Sequence, residues 1–170
     1  MMDERTRIVE DLPGMADLPR DALIAFSRLF DVRVYDNENL CQEGDDTDKL
    51  WILGQGQLAV IRSTERKGPF EVAQLHPTCL VGYAGLIDIT QRTATLRAKG
   101  TVEVLEIQTE TARVMLDTHE SLGASAFRRA LIVAMSSQLR TSNTSIGKLA
   151  VDVGIAEPDA NQIMTIVPIV

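Results

Sequence analysis

Histidine, cysteine and aromatic residues are scarce in this chain, and each scarcity removes a class of chemistry. The two histidines, His76 beside Pro77 and His119 at an expected helix boundary, cannot furnish the several imidazoles that a metal-dependent barrel enzyme gathers inside its fold. The two cysteines, Cys41 and Cys79, stand alone, without a Cys-x-x-Cys or Cys/His spacing, and read as small buried thiols rather than a zinc, redox or disulfide site. No Gly-x-Ser-x-Gly elbow is present. No apolar run reaches the roughly 18 residues of a membrane span, and the charged stretch Met1 to Glu10 is unlike a signal peptide, so a cytoplasmic protein is expected, with no membrane partner. Positive charge is in deficit. Lys and Arg number 17 against 24 Asp and Glu, giving a net charge of -7 and a pI near 4.8. The field of the whole molecule then opposes a phosphate backbone, and nucleic acid is not an expected partner. Asp45, Asp46 and Asp48 read as a solvated turn. No metal site, no cofactor and no enzymatic activity are expected.

What is present is a patterned core. With 45% hydrophobic side chains over 170 residues, the chain can bury one good core and carry an appendage. Leu18 to Phe30 has proline at a first-turn position and Leu23, Phe26, Leu29 and Phe30 on one face, which predicts an amphipathic helix. From Val32 the period shortens. Runs rich in Val, Ile, Leu and aromatics at Val32 to Tyr35, Lys49 to Leu53, Gln57 to Ser63, Phe70 to Leu75, Thr93 to Ala98 and Val102 to Gln108 predict strands. Between them stand turn clusters at Asp36 to Asn39, Glu43 to Asp46, Gly54 to Gly56 and Lys67 to Pro69. Six short strands at this spacing predict a compact all-β sandwich or roll.

After Gln108 a helical pattern returns over Thr109 to Leu116 and, more strongly, over Glu120 to Leu149. Phe127, Leu131, Ala134, Met135, Gln138, Leu139 and Ser142 trace a stripe three and four residues apart. About 27 helical residues reach about 40 Å, longer than a domain of this size is wide. Part of this helix is therefore expected to pair, most economically with its own copy as a homodimer. The expected organisation is a β-roll with its N-terminal helix over 1–118, a dimerisation helix over 119–149 and a tail over 150–170. The apolar close, Ile163 to Val170, fits a last strand, a packed tail or an exposed binding patch equally well.

The segment from Leu80 to Ala98, with Gly82-Tyr83-Ala84-Gly85-Leu86 and Arg92-Thr93-Ala94, resembles the phosphate-binding cassette of the cyclic-nucleotide-binding domain family. Two further stretches agree. Glu43-Gly44-Asp45, followed by Asp48 to Val60, is similar to the family's Glu-Gly-Asp turn, next strand and Gly-bounded hairpin; Leu139 to Ala150 is similar to the helix that passes the ligand in bacterial catabolite activator-type proteins. The resemblance spans Leu18 to Ala150. It implies a mainly β fold with flanking helices, a double-stranded, jelly-roll-like β-roll followed by a long C-terminal helix. It also implies a ligand, cyclic AMP or cyclic GMP. Gly82, Tyr83, Ala84, Gly85 and Leu86, with Arg92 and Thr93, would hold the cyclic phosphate, while Ser142 and Asn143 on the long helix would cap the base. The chemistry is apt, because glycine permits close backbone approach and a guanidinium forks onto two phosphate oxygens.

One position departs from the family's pattern. Tyr83 stands where a glutamate usually accepts the ribose 2'-hydroxyl. A hydrogen bond to a charged group contributes about 1.5 to 3 kcal/mol, so its loss corresponds to roughly 10- to 150-fold weaker binding. The phenol either fills the ribose space or swings out and substitutes for the acceptor. Residues 151–170 offer no basic helix, so the helix-turn-helix output of the catabolite activators is not expected here. Two readings follow. The chain is a stand-alone dimeric sensor that signals to a protein partner, or a degenerate scaffold that binds no nucleotide and serves as an interaction module.

Overall fold

The computed structural model describes residues 3–64, 68–87 and 91–153. Two short helices open the chain, α1 (Glu4–Glu10) and α2 (Arg20–Ser27). Eight strands follow: β1 (Asp31–Asp36), β2 (Asn39–Cys41), β3 (Lys49–Gln55), β4 (Leu58–Thr64), β5 (Gly68–Leu75), β6 (Cys79–Val81), β7 (Thr95–Ala98) and β8 (Thr101–Gln108). A single turn, α3 (Ala84–Ile87), sits between β6 and β7, and α4 (Thr109–Asp117) and α5 (Leu122–Asp152) close the described chain. All six expected strands and all three expected helices are found. The apolar close Ile163 to Val170 lies outside the described residues.

The strands form two antiparallel sheets of four, in the orders β1-β8-β3-β6 and β2-β7-β4-β5. This is the mainly β roll with flanking helices. Alternation explains its core: Trp51 and Leu53 on β3, Val81 on β6, and Val102 and Val104 on β8 face Cys41, Leu58, Leu96 and Ala98 of the other sheet. Leu50, Ile52, Leu105 and Ile107 project from the opposite face of the first sheet and are also buried. Helices cover that face. Ile8 of α1 packs so tightly on Gly54 that a Cβ there would stand 2.6 Å from its Cδ1. Phe26 of α2 meets Phe30 edge-on, centroids 5.3 Å apart, and Phe127 of α5 at 6.0 Å. Both faces of β8 are buried because it lies between the second sheet and the helices.

The chain divides into two units, Met1–Ala134 and Met135–Val170, and α5 contributes to both. In the first unit α5 buries Ala124, Ala126, Phe127, Ala130 and Leu131. Gly123 allows a close approach there, since a Cβ would stand 3.0 Å from the Ala25 backbone. Arg128 donates to the carbonyls of Met115, Leu116 and Thr118, the last at 2.6 Å, satisfying the orphan acceptors at the end of α4. In the second unit the helix exposes large apolar side chains at Leu139, Ile146 and Leu149, and Val153 just beyond its end is exposed as well.

Candidate functional site

Residues 82–87 and 91–95 are pinned to the Glu43 to Asp48 turn by contacts that require both motifs. Arg92 N–H donates to Asp45 O (2.7 Å), and Arg92 O accepts from Gly44 N–H (2.9 Å). Glu43 N–H donates to Thr95 Oγ1 (2.9 Å), and the Glu43 carboxylate accepts from Ser63 N–H (2.7 Å). Asp45 closes its own turn by accepting Gln42 N–H at 2.8 Å. Gly85 lies directly against Thr47, with a hypothetical Cβ only 2.3 Å from the Thr47 Cβ. Arg113 of α4 donates to Gly85 O at 2.9 Å. Thus two stretches far apart in sequence meet in one cradle.

Gly82 makes the turn out of β6 at φ +81°, a conformation that favours glycine, and a Cβ would meet the Arg92 Nη1 at 2.9 Å and the Trp51 ring at 3.1 Å. Arg92 runs inward. Only 6% exposed, it donates from Nη2 to Lys49 O (2.6 Å) and from Nη1 to Gly82 O (3.4 Å), while its Cζ stands 4.7 Å from the Trp51 ring centroid. Asp48 Oδ1 is 3.5 Å from Nη2. Arg92 Nε, by contrast, is buried and has no hydrogen-bond partner among the described residues. An orphaned N–H of a buried cation is unfavourable by about 1 to 3 kcal/mol or more, and an acceptor brought to it recovers that loss.

The remaining expected residues are distributed as follows. Leu86 and Gly85 are buried, Ala84 and Thr93 are exposed, and Tyr83 is half-buried. The Tyr83 hydroxyl donates to Ala134 O of α5 at 3.5 Å, and burial, with the neighbouring Cys79, pushes its pKa up. Cys79 itself is raised to about 11 by burial, so the thiol is protonated and inert at neutral pH. Ser142 is half-buried and Asn143 exposed, both in the second unit.

The cyclic nucleotide-binding domain family matches residues 31–119, more than half of the chain. The chain belongs to this family. The cyclic nucleotide-binding domain has several similar solved structures. One is a cyclic nucleotide-binding domain from Methylobacillus flagellatus KT, with a TM-score of 0.71 at 18% identity, covering 92% of this chain and 85% of that one. The catabolite activator protein of Thermus thermophilus follows at TM-score 0.65 and 20% identity, covering 84% of this chain and 63% of that one. The global regulator CLP of Xanthomonas campestris gives 0.62 at 22% identity, covering 75% of this chain and 63% of that one. The cyclic nucleotide-binding domain therefore spans somewhat under two thirds of those two regulators. At such identities these likenesses establish the fold. Among curated proteins, none matches by sequence.

Beneath the cradle the cyclic nucleotide-binding domain holds a polar cluster that sequence reasoning missed. Glu106, in register with Trp51 across the β3–β8 pair, points into the roll and accepts from Trp51 Nε1–H (2.9 Å), from Tyr35 O–H (2.7 Å) and from Lys49 Nζ (3.2 Å). Burial pushes the Glu106 carboxyl up, but the hydrogen bonds from Tyr35, Trp51 and Lys49 outweigh it and hold the group below its usual range. Burial, reinforced by Glu106, pushes the Tyr35 phenol to about 12. The signal was available: Glu106 is the one acidic residue at an inward position of β8, after Val102 and Val104, and Trp51 is the chain's single tryptophan. Among the described residues no cluster of His, Cys, Asp and Glu could hold a metal ion, and no helix is long and apolar enough to cross a membrane.

Proposed function

We propose that this chain is a non-catalytic regulatory domain that binds a cyclic nucleotide, cyclic AMP or cyclic GMP, and signals through protein contacts. The observation that carries the reading is the buried Arg92 Nε, without an acceptor among the described residues, beside Gly82, whose missing side chain makes room for the Arg92 guanidinium and the Trp51 ring. Gly82 to Leu86, Arg92 and Thr93 receive the cyclic phosphate. Support by likeness comes from a regulatory domain of Toxoplasma gondii protein kinase A solved with cyclic AMP, at TM-score 0.62. A cytoplasmic setting accords with this role.

Tyr83 favours a second reading, a scaffold with a self-occupied pocket, because its hydroxyl is already engaged by Ala134 O. Calorimetric titration with both nucleotides, extended to millimolar ligand, separates the two. The sensor gives saturable heat, and Tyr83→Glu, which restores a carboxylate acceptor, tightens binding by roughly 10-fold or more. No heat from the wild type with either nucleotide would leave the scaffold.

A homodimer through α5 belongs to the same proposal. Met135, Leu139, Ser142, Ile146, Leu149 and Val153 recur at alternating steps of four and three, the spacing of a two-stranded seam, and Leu139, Ile146, Leu149 and Val153 are each about 60% exposed. Light scattering is expected to give twice the 18.7 kDa protomer mass. Leu139→Lys with Ile146→Lys, placing like charges in the seam, is expected to return the monomer mass; a wild-type monomer would refute the pairing.

A further inference from the structure

Among the described residues the buried guanidinium of Arg92 has no buried carboxylate beside it. Asp48, the one carboxylate within ion-pair distance of it among the described residues, is 63% exposed at its side chain, where solvent screening weakens the attraction. What Arg92 rests on is the face of Trp51, whose ring is wholly buried. A desolvated cation over an indole is held by the negative face of the ring, and the attraction grows when the indole N–H is donated to a carboxylate, since that hydrogen bond polarises the ring. Trp51 makes this bond to Glu106 at 2.9 Å, and Glu106 is fixed in turn by Tyr35 and Lys49. The negative charge of Glu106 thus reaches Arg92 through the indole. With its Cζ over the ring, the guanidinium turns its N–H groups to acceptors: Lys49 O takes one, Gly82 O another, and Nε has none among the described residues.

We propose that Trp51, anchored by Glu106, is the positioning residue for Arg92, setting the plane in which the guanidinium meets a ligand's phosphate. The assignment rests on the cyclic nucleotide reading of the cradle and names the part of the roll that senses occupancy. A phosphate at Nε draws charge away from the ring, so binding is felt at Trp51 and passed through Glu106 to Tyr35 on β1.

The test follows binding of cyclic AMP and cyclic GMP by calorimetry and, in parallel, by the emission of Trp51, which is the chain's only tryptophan. Emission is expected to change saturably with the calorimetric affinity. Trp51→Leu is expected to weaken binding about tenfold, the size of a desolvated cation–π contact, whereas Trp51→Phe, which keeps a ring face, stays within about threefold of wild type. A merely structural tryptophan would lower the melting temperature in both variants without separating their affinities. Wild-type heat with unchanged emission, or Trp51→Leu binding as tightly as wild type, overturns the assignment alone; if Trp51→Leu does not fold, the wild-type emission decides. No heat from the wild type with either nucleotide removes the cyclic nucleotide reading and this inference with it.

Discussion

Replacing Arg92 with alanine is expected to weaken binding of the preferred cyclic nucleotide by at least about 100-fold. Two charge-assisted hydrogen bonds from one guanidinium contribute about 1.5 to 3 kcal/mol each, and their joint loss spans roughly two to four orders of magnitude. The effect is large because Arg92 is buried, so water cannot substitute for the missing donors. Arg92→Lys sharpens the result: it keeps a charge but not the fork or the guanidinium placed over Trp51, and should fall between wild type and alanine. Calorimetry on the three proteins is the measurement. Equal affinities would show that the cradle does not grip phosphate through this residue. Some stability should be lost as well, since Lys49 O and Gly82 O lose their donors, and a melting curve separates that loss from the loss of binding.

Replacing Glu106 with alanine is expected to destabilise the fold by about 3 to 5 kcal/mol, the range for breaking a buried charge cluster from one side. Trp51 Nε1–H would be left without an acceptor in a fully buried place, the Tyr35 hydroxyl would lose its partner, and the Lys49 ammonium its nearest anion. For a chain of this size that lowers the melting temperature by roughly 10 °C. Glu106→Gln keeps an acceptor without the charge and should lose about half as much. The same group gives a pH dependence with a definite sign. Its folded pKa lies below the model-peptide value of 4.5, so the stabilisation is complete above about pH 4.5 and is lost as pH falls through the lowered folded value. Melting temperature plotted against pH should therefore drop more steeply on acidification in the wild type than in Glu106→Gln. Parallel curves would mean that the carboxylate contributes nothing through its ionisation.

Much of the fold was legible because the core strands are short runs rich in β-branched and aromatic residues, set between turn clusters. Lys49 to Leu53 and Val102 to Gln108 are β-rich between turn clusters, and both form central strands. Two strands escaped notice. Asn39–Cys41 and Cys79–Val81 are only three residues long, too short to show a period, and exist because β7 and β3 offer them hydrogen-bonding edges. Helix α1 was missed too, since its apolar residues Ile8 and Val9 make sense only against α2 and β3. On α5 the stripe beginning at Phe127 is buried as far as Leu131, whereas Leu139 is exposed; a sequence stripe marks a face without naming what covers it.

For the site, sequence alone determined the residue types that turn and charge demand: glycine at Gly82, where φ is positive, the Glu43-Gly44-Asp45 turn, and one arginine at the end of the cassette. These are local requirements, written in single positions or short motifs. Only the tertiary structure decided that the turn and the cassette lock together through Asp45 and Arg92, that Arg92 lies buried on Trp51, and that Glu106 stands behind the indole. Those contacts join residues 41 to 55 positions apart, and a sequence pattern carries no information on which inward-facing side chains of different strands meet. The register of β3 on β8 sets that, and register is fixed by the packing of the whole roll.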